Sequence, residues 1–393
     1  MKRGVRIGLT LAMAATIWLT VGVSIVPAAA EEEDLSQSIE QILGQLDVED
    51  LENYLQTLTQ EQREAFGEDM AGKLRSLLTG DFSLQYDDVI SALTGMLFKQ
   101  ISGLLPIFCS ICAITILCGM LGKFKSSFSE KGTAKLIFFV GYASVLVLVL
   151  AALMGVVEDS GDTVKSLQAQ MQAVFPLLLT LIATSGGSVS VAVYRPAVLF
   201  LSEIIVDVVV QIVFPLAIMM CVLNMVGNMS GEIKLKNFAA LFSSVIKWTL
   251  GITLAAFTVF LTVQGITSAT YDGLSFKAAK YAVSNSIPII GGFIGNGFDL
   301  VIAGSVLIKN SVGSCGIFLL VIVLAAPLAE LIAFQLFLKL AAAVTEPIGE
   351  EGISGFLSSL SGTINYFTAG LLAVGFMYFI TMLLLICSSN ALF

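Results

Sequence analysis

Uninterrupted apolar runs recur along this chain, at 101–122, 134–157, 197–226, 248–270, 313–344 and 366–388. Each is long enough, at about 20 residues or more, to cross the ~30 Å hydrocarbon core of a bilayer. Backbone polar groups in that core must be satisfied within the segment, which a helix does. Charge content agrees: only 12% of the 393 residues are charged and the mean hydropathy is +0.92, against roughly 25% charge in a soluble domain. The expected fold is all-α, a polytopic helical membrane protein.

Residue counts exclude several chemistries. The chain has no histidine, which removes Ser-His-Asp and Cys-His catalysis and any His-containing zinc site. No G-x-x-x-x-G-K-[ST] is present, so the chain is not its own P-loop ATPase. No enzymatic activity, cofactor or metal is expected. Charge is unevenly spread: residues 31–98 hold 16 acids and 3 bases, whereas 99–393 hold 13 acids and 14 bases. That distribution offers no exposed basic face for nucleic acid.

Three domains are expected. Lys2, Arg3 and Arg6 precede an apolar stretch over 7–26, then Pro27 and Ala28 to Ala30, which reads as a signal peptide over 1–30. Residues 31–98 form an acidic extracytoplasmic helical domain, because the basic end of the first segment stays inside. Two apolar stripes recur there at helical spacing, Leu35, Ile39, Ile42 and Leu46, then Leu51, Tyr54/Leu55 and Leu58. They suit either docking onto a partner in the exported compartment or a solvated helical hairpin. Thr59 and Gln62 have the spacing of a helix cap. Residues 99–393 form the multi-span membrane domain. The six cysteines lie in apolar runs, where they read as small packing residues.

Two further apolar segments are broken. Residues 171–194 contain Pro176 and Ser185-Gly-Gly-Ser188, and 284–308 contain Pro288, Gly291, Gly292 and Gly295. Loop charges place 122–135 and 227–247 in the cytoplasm and acidic 158–172 outside. These agree if 171–194 re-enters and 284–308 spans, giving about seven spans with the N-terminus out, Lys309 in a cytoplasmic loop and the C-terminus in the cytoplasm.

Polar groups within the apolar runs are the candidate functional residues. Glu203, Asp207 and Gln211 stand at i, i+4 and i+8, one above another on a helix face, with Pro215 behind them as an expected kink. Glu330 and Lys339 lie in the 313–344 run. An ionised carboxylate at the bilayer centre costs on the order of 3 kcal/mol even on the lenient insertion scale. These residues therefore read as a pathway lining or an interhelical ion pair, with structural hydrogen bonding as the alternative. Gly291 and Gly295 form a G-x-x-x-G face next to Pro288 and Gly292, read as close packing at a bend or as a gate.

The stretch Lys277-Ala-Ala-Lys-Tyr-Ala-Val-Ser-Asn-Ser-Ile-Pro-Ile-Ile-Gly-Gly, with Asp299 and Leu307-Ile-Lys-Asn-Ser-Val-Gly, resembles the signature of stage III sporulation protein AE. The order of signal sequence, acidic head and polytopic body fits the same family. The resemblance implies a non-enzymatic subunit of a secretion-like channel between mother cell and forespore, required after engulfment. It implies a multi-pass location in the mother-cell membrane facing the forespore. The implied partners are the other stage III sporulation A proteins, including a separate ATPase and ring-forming members, and the forespore stage II sporulation protein Q, besides membrane lipid. A free-standing secondary transporter using its buried carboxylates for ion coupling is the second reading.

Overall fold

A computed structural model describes residues 49–60, 62–63, 86–125, 131–185, 187–229, 235–286, 291–348 and 351–388. The expected signal peptide over 1–30, the stripe from Leu35 to Leu46 and Pro288 lie outside the described residues. In chain order the helices are α1 (Glu49–Thr57), α2 (Tyr86–Lys125), α3 (Lys131–Thr184), α4 (Ser188–Asp207), a π-helical turn (Val208–Val213), α5 (Phe214–Met229), α6 (Lys236–Ser286), α7 (Gly291–Thr345) and α8 (Glu351–Ser388), with a short 3-10 turn before α8 (Glu346–Ile348). No strand occurs among the described residues. Among the described residues six helices are long and apolar enough to cross a membrane, with windows at 98–117, 139–184, 202–229, 236–262, 302–345 and 352–388. The chain is a polytopic helical membrane protein.

The centre of the body is α8, which packs against α7, α5, α3 and α6. Aromatic pairs pin it along its length: Phe356 to Tyr142 of α3, Phe367 to Phe214 of α5, and Tyr378 to Phe175 of α3, with ring centroids 5.7, 5.2 and 5.4 Å apart. Between the larger helices, glycine sets the closest approach. A Cβ on Gly316 of α7 would run into Met382 of α8 and sit 3.2 Å from Val174 of α3. This is the small-residue packing that helices in lipid depend on.

Among the described residues six helices are candidate spans against about seven expected, and helix continuity accounts for the difference. Residues 171–184 do not re-enter as a separate segment; they continue α3 through Pro176. One missing backbone donor is tolerated there because Val174, Phe175, Leu178 and Leu181 are buried in protein and not in lipid. The helix stops instead at Ser185, where the Gly187 amide reaches the Ile182 carbonyl and the Ser185 hydroxyl donates to the same oxygen. These bonds satisfy the last carbonyls in the manner of a helix C-cap.

Likewise 284–308 and 313–344 are not two spans. Helix α7 runs unbroken from Gly291 through Lys309-Asn-Ser311 to Thr345. Lys309, expected in a loop, is fully buried in that helix, its ammonium donating to the Ile386 carbonyl at the end of α8. A cation on the terminal carbonyls of a helix is electrostatically favourable. The acids at 158–162, also expected in a loop, lie on helical turns of α3.

Helix α1 carries the second apolar stripe, and Leu51, Tyr54, Leu55 and Leu58 are all buried, with α1 packed on α3. That stripe is therefore covered by this chain's own body. Its end is locked by the reciprocal Thr59–Gln62 bonds, amide to side chain in both directions, and by Arg63 donating to the Leu58 and Gln56 carbonyls.

Candidate functional site

The spacing of Glu203, Asp207 and Gln211 holds in three dimensions. Gln211 Nε2 donates to Asp207 Oδ1 at 3.0 Å, one turn along the same face. Between them the backbone widens into the π turn at 208–213, and the Phe214 amide bonds the Val209 carbonyl five residues back. Pro215 supplies the cause: it has no amide to give the carbonyl four residues behind, and its ring crowds that carbonyl. A widened turn relieves both, and such turns recur at functional sites. The deviation expected as a kink at Pro215 therefore takes the form of this turn.

The other side of the π turn is tightly held. Val209 and Val213 are buried, and Gly370 of α8 approaches so closely that a Cβ there would lie 2.9 Å from the Phe214 ring. Asp207, Gln211 and Glu203 are exposed, with Ile204 and Ile212 beside them. Within the apolar 202–229 span, then, the acids project from the outer face of the single chain.

Glu330 does not meet Lys339, which lies nine residues on along α7 and is exposed; at 1.5 Å per residue that is about 13 Å away. It faces Asp159 of α3, carboxyl to carboxyl. The pair arises because α3 and α7 run antiparallel, with Gln170 bonded to Gly316 at one point and Asp159 meeting Glu330 further along. Asp159 was missed because its acidic neighbours Glu158 and Asp162 read as a loop. Leu324 packs on Gly375, and the Ser354 hydroxyl bonds the Ala342 carbonyl. Interpolating along these antiparallel helices puts Glu330 opposite residues near 369, about level with Gly370 and the π turn beyond it.

Gly291, Gly292 and Gly295 open α7. Other polar contacts tie the helices: Asn224 to Thr363 at 2.9 Å, Tyr142 to the Met225 carbonyl at 2.7 Å, and Ser243 to Tyr366. At the head, burial pushes the Tyr54 phenol up to about 12, a rise opposed in part by its contact with Ser166. Among the described residues no group of three or more Cys, Asp or Glu side chains is placed to hold a metal ion.

Residues 69–389 match the family model for stage III sporulation protein AE. The chain is 27% identical over 366 residues to the stage III sporulation protein AE of Bacillus subtilis (strain 168), covering 92% of each chain. No solved structure matches it. The family match takes in the π turn, both carboxyl-bearing helices and the opening of α7, and on that extent the chain belongs to the stage III sporulation protein AE family.

Proposed function

We propose that this chain is a non-enzymatic membrane subunit of a secretion-like channel between mother cell and forespore, acting after engulfment and forming or supporting its export gate. One observation carries the reading: Glu203, Asp207 and Gln211 stand on the outer face of an apolar span, beside a π turn, with no part of the described chain over them. Carboxylates at that depth are stable only against protein or water, so the face belongs on an aqueous lumen or against another subunit. The other stage III sporulation A proteins, an ATPase among them, and stage II sporulation protein Q are the proposed partners, with the acidic head outside the cytoplasm and the C-terminus within it. Affinity purification of the tagged chain from sporulating cells tests this. Recovery of those proteins supports the channel, and their absence under conditions that preserve the membrane complex removes it.

The Asp159–Glu330 pair favours a second reading, a free-standing secondary transporter, since two facing carboxyl groups suit a coupling proton or cation. Purified chain in liposomes separates the two. A transporter moves substrate alone, and a channel subunit does not.

A further inference from the structure

Helix α3 turns one row of side chains outward along most of its length, and that row changes character once. Side chains three, four or seven positions apart share a helix face. On this row Leu136, Val140, Val147 and Met154 are exposed and apolar. From Glu158 the row continues through Asp162, Lys165, Gln172 and Thr180, all exposed and all polar. Among the described residues of α3, no exposed large apolar side chain follows Met154. Lys165 and Asp162 pair at 3.0 Å while each stays 66% open, an arrangement that suits water and not hydrocarbon.

The neighbouring helices change at the same level. Asp159 meets Glu330, and after Glu330 helix α7 exposes Ile332, Leu336, Leu340 and Val344. Before Glu330 its described residues expose no large apolar side chain. Lys339 stands inside this band, seven positions from the turn at Glu346, and its long stem lets the ammonium reach the surface there. Only 126–130 separate α2 from α3, so α2 runs antiparallel to α3 and parallel to α7. Its Phe108 stacks on Phe337, which puts exposed Ile101 level with Glu330 and exposed Lys99 just beyond.

We infer that lipid covers α3 only over 136–157, and that 158–184 is a stalk standing in water on the side of the head. The lipid-covered stretch rises about 33 Å, close to the ~30 Å of a hydrocarbon core. The stalk adds about 40 Å beyond it. The head docks where this requires. Tyr54 of α1 lies 3.4 Å from Ser166 Oγ, on the stalk, while Glu49, Asp50 and Glu52 of the same helix are exposed. Three exposed acids at that level would be costly in lipid and are ordinary in water. Helix α6 carries its apolar face further: Ser243 meets Tyr366 near the edge, and Ile252, Val259 and Phe260 are exposed beyond it. Those side chains then need a protein cover, not acyl chains. The inference rests on the outer faces of α2, α3 and α7 and does not draw on the channel reading.

Labelling of the full-length chain tests it. Single cysteines at Val147, Gln172 and Thr180 are made in a chain whose six native cysteines are replaced by alanine. A bulky, membrane-impermeant maleimide polymer is then added outside intact protoplasts. Gln172→Cys and Thr180→Cys should react at least about tenfold faster than Val147→Cys, because a thiol ionises in water and not in hydrocarbon. In liposomes with brominated acyl chains, and with phenylalanine at the two native tryptophans, Val147→Trp should lose fluorescence while Gln172→Trp keeps it. All three positions are exposed, so the substitutions leave the helix packing alone. Quenching of Gln172→Trp by the brominated chains overturns the inference, and so does equal reactivity of the three cysteines. Reaction of Gln172→Cys with a small maleimide but not with the polymer also overturns it, since that marks a narrow lumen in place of open water.

Discussion

Asp159 and Glu330 meet across the two longest of the described helices, each a carboxyl group facing its like. Replacing either alone with lysine turns repulsion into attraction, so Asp159→Lys and Glu330→Lys should each preserve or raise the unfolding temperature in detergent. The double lysine variant restores like charge and should lose that gain. A coupling between the two sites of about 0.5–3 kcal/mol is expected for residues in contact. Strict additivity would show that the side chains do not touch.

On the other flank of α8, the Asp207–Gln211 pair should matter for transport but not for insertion. On the proposed channel reading, Asp207→Asn combined with Glu330→Gln is expected to reduce late forespore gene expression by on the order of tenfold, since fixed charge on a conduction route would set what passes. Membrane levels of the protein should stay the same by quantitative immunoblot. Wild-type expression in the double variant counts against any pathway role.

Glycine positions offer a control on the packing itself. Gly316→Val places a branched side chain against Met382 and Val174, and overpacking of this kind costs about 1–3 kcal/mol. Gly161→Ala meets nothing within 4 Å and removes a helix-weakening residue, so it should be neutral or stabilising by up to ~1 kcal/mol. Thermal aggregation of the two purified variants should move in opposite directions or, for Gly161→Ala, not at all.

Tyr54 makes the head contact alkali-sensitive. Burial raises its phenol to about 12, above the free value of about 10. The neutral form is the one favoured when docked, so its contribution is fully present below about pH 10 and is lost as pH climbs toward 12. Ultraviolet difference titration of the full-length chain against Tyr54→Phe should show one tyrosine ionising near 12 that the variant lacks. Ionisation of that residue near 10 would mean that the head is not docked.

These features differ in how far the sequence foretold them. Helicity, membrane class and the Glu203–Asp207–Gln211 ladder follow from hydropathy and from spacing within a single helix, which local geometry dictates. Pairings between helices do not. The expectation of a pathway lining or an interhelical pair leaves the partner of Glu330 open, and its neighbour comes from α3, 171 positions earlier in the chain. Lys309-Asn-Ser311 and the acids at 158–162 were taken for loops because charge normally marks the membrane surface. Burial of Lys309 against a helix end reverses that inference, and nothing within its own run announces the Ile386 carbonyl. The Leu51–Leu58 stripe suits either a partner-docking face or a solvated hairpin by its spacing, and its cover is the chain's own helix α3.

Helices α3 and α7 have 54 and 55 residues, so each is a rod of about 80 Å, well over twice the thickness of the hydrocarbon layer. Such a rod either leans steeply or stands proud of the lipid surface. In both cases it works as a lever arm: a tilt of about 5° at one tip carries the other through about 7 Å. A tilt of a few degrees on one side of the membrane is thereby a shift of several ångströms on the other.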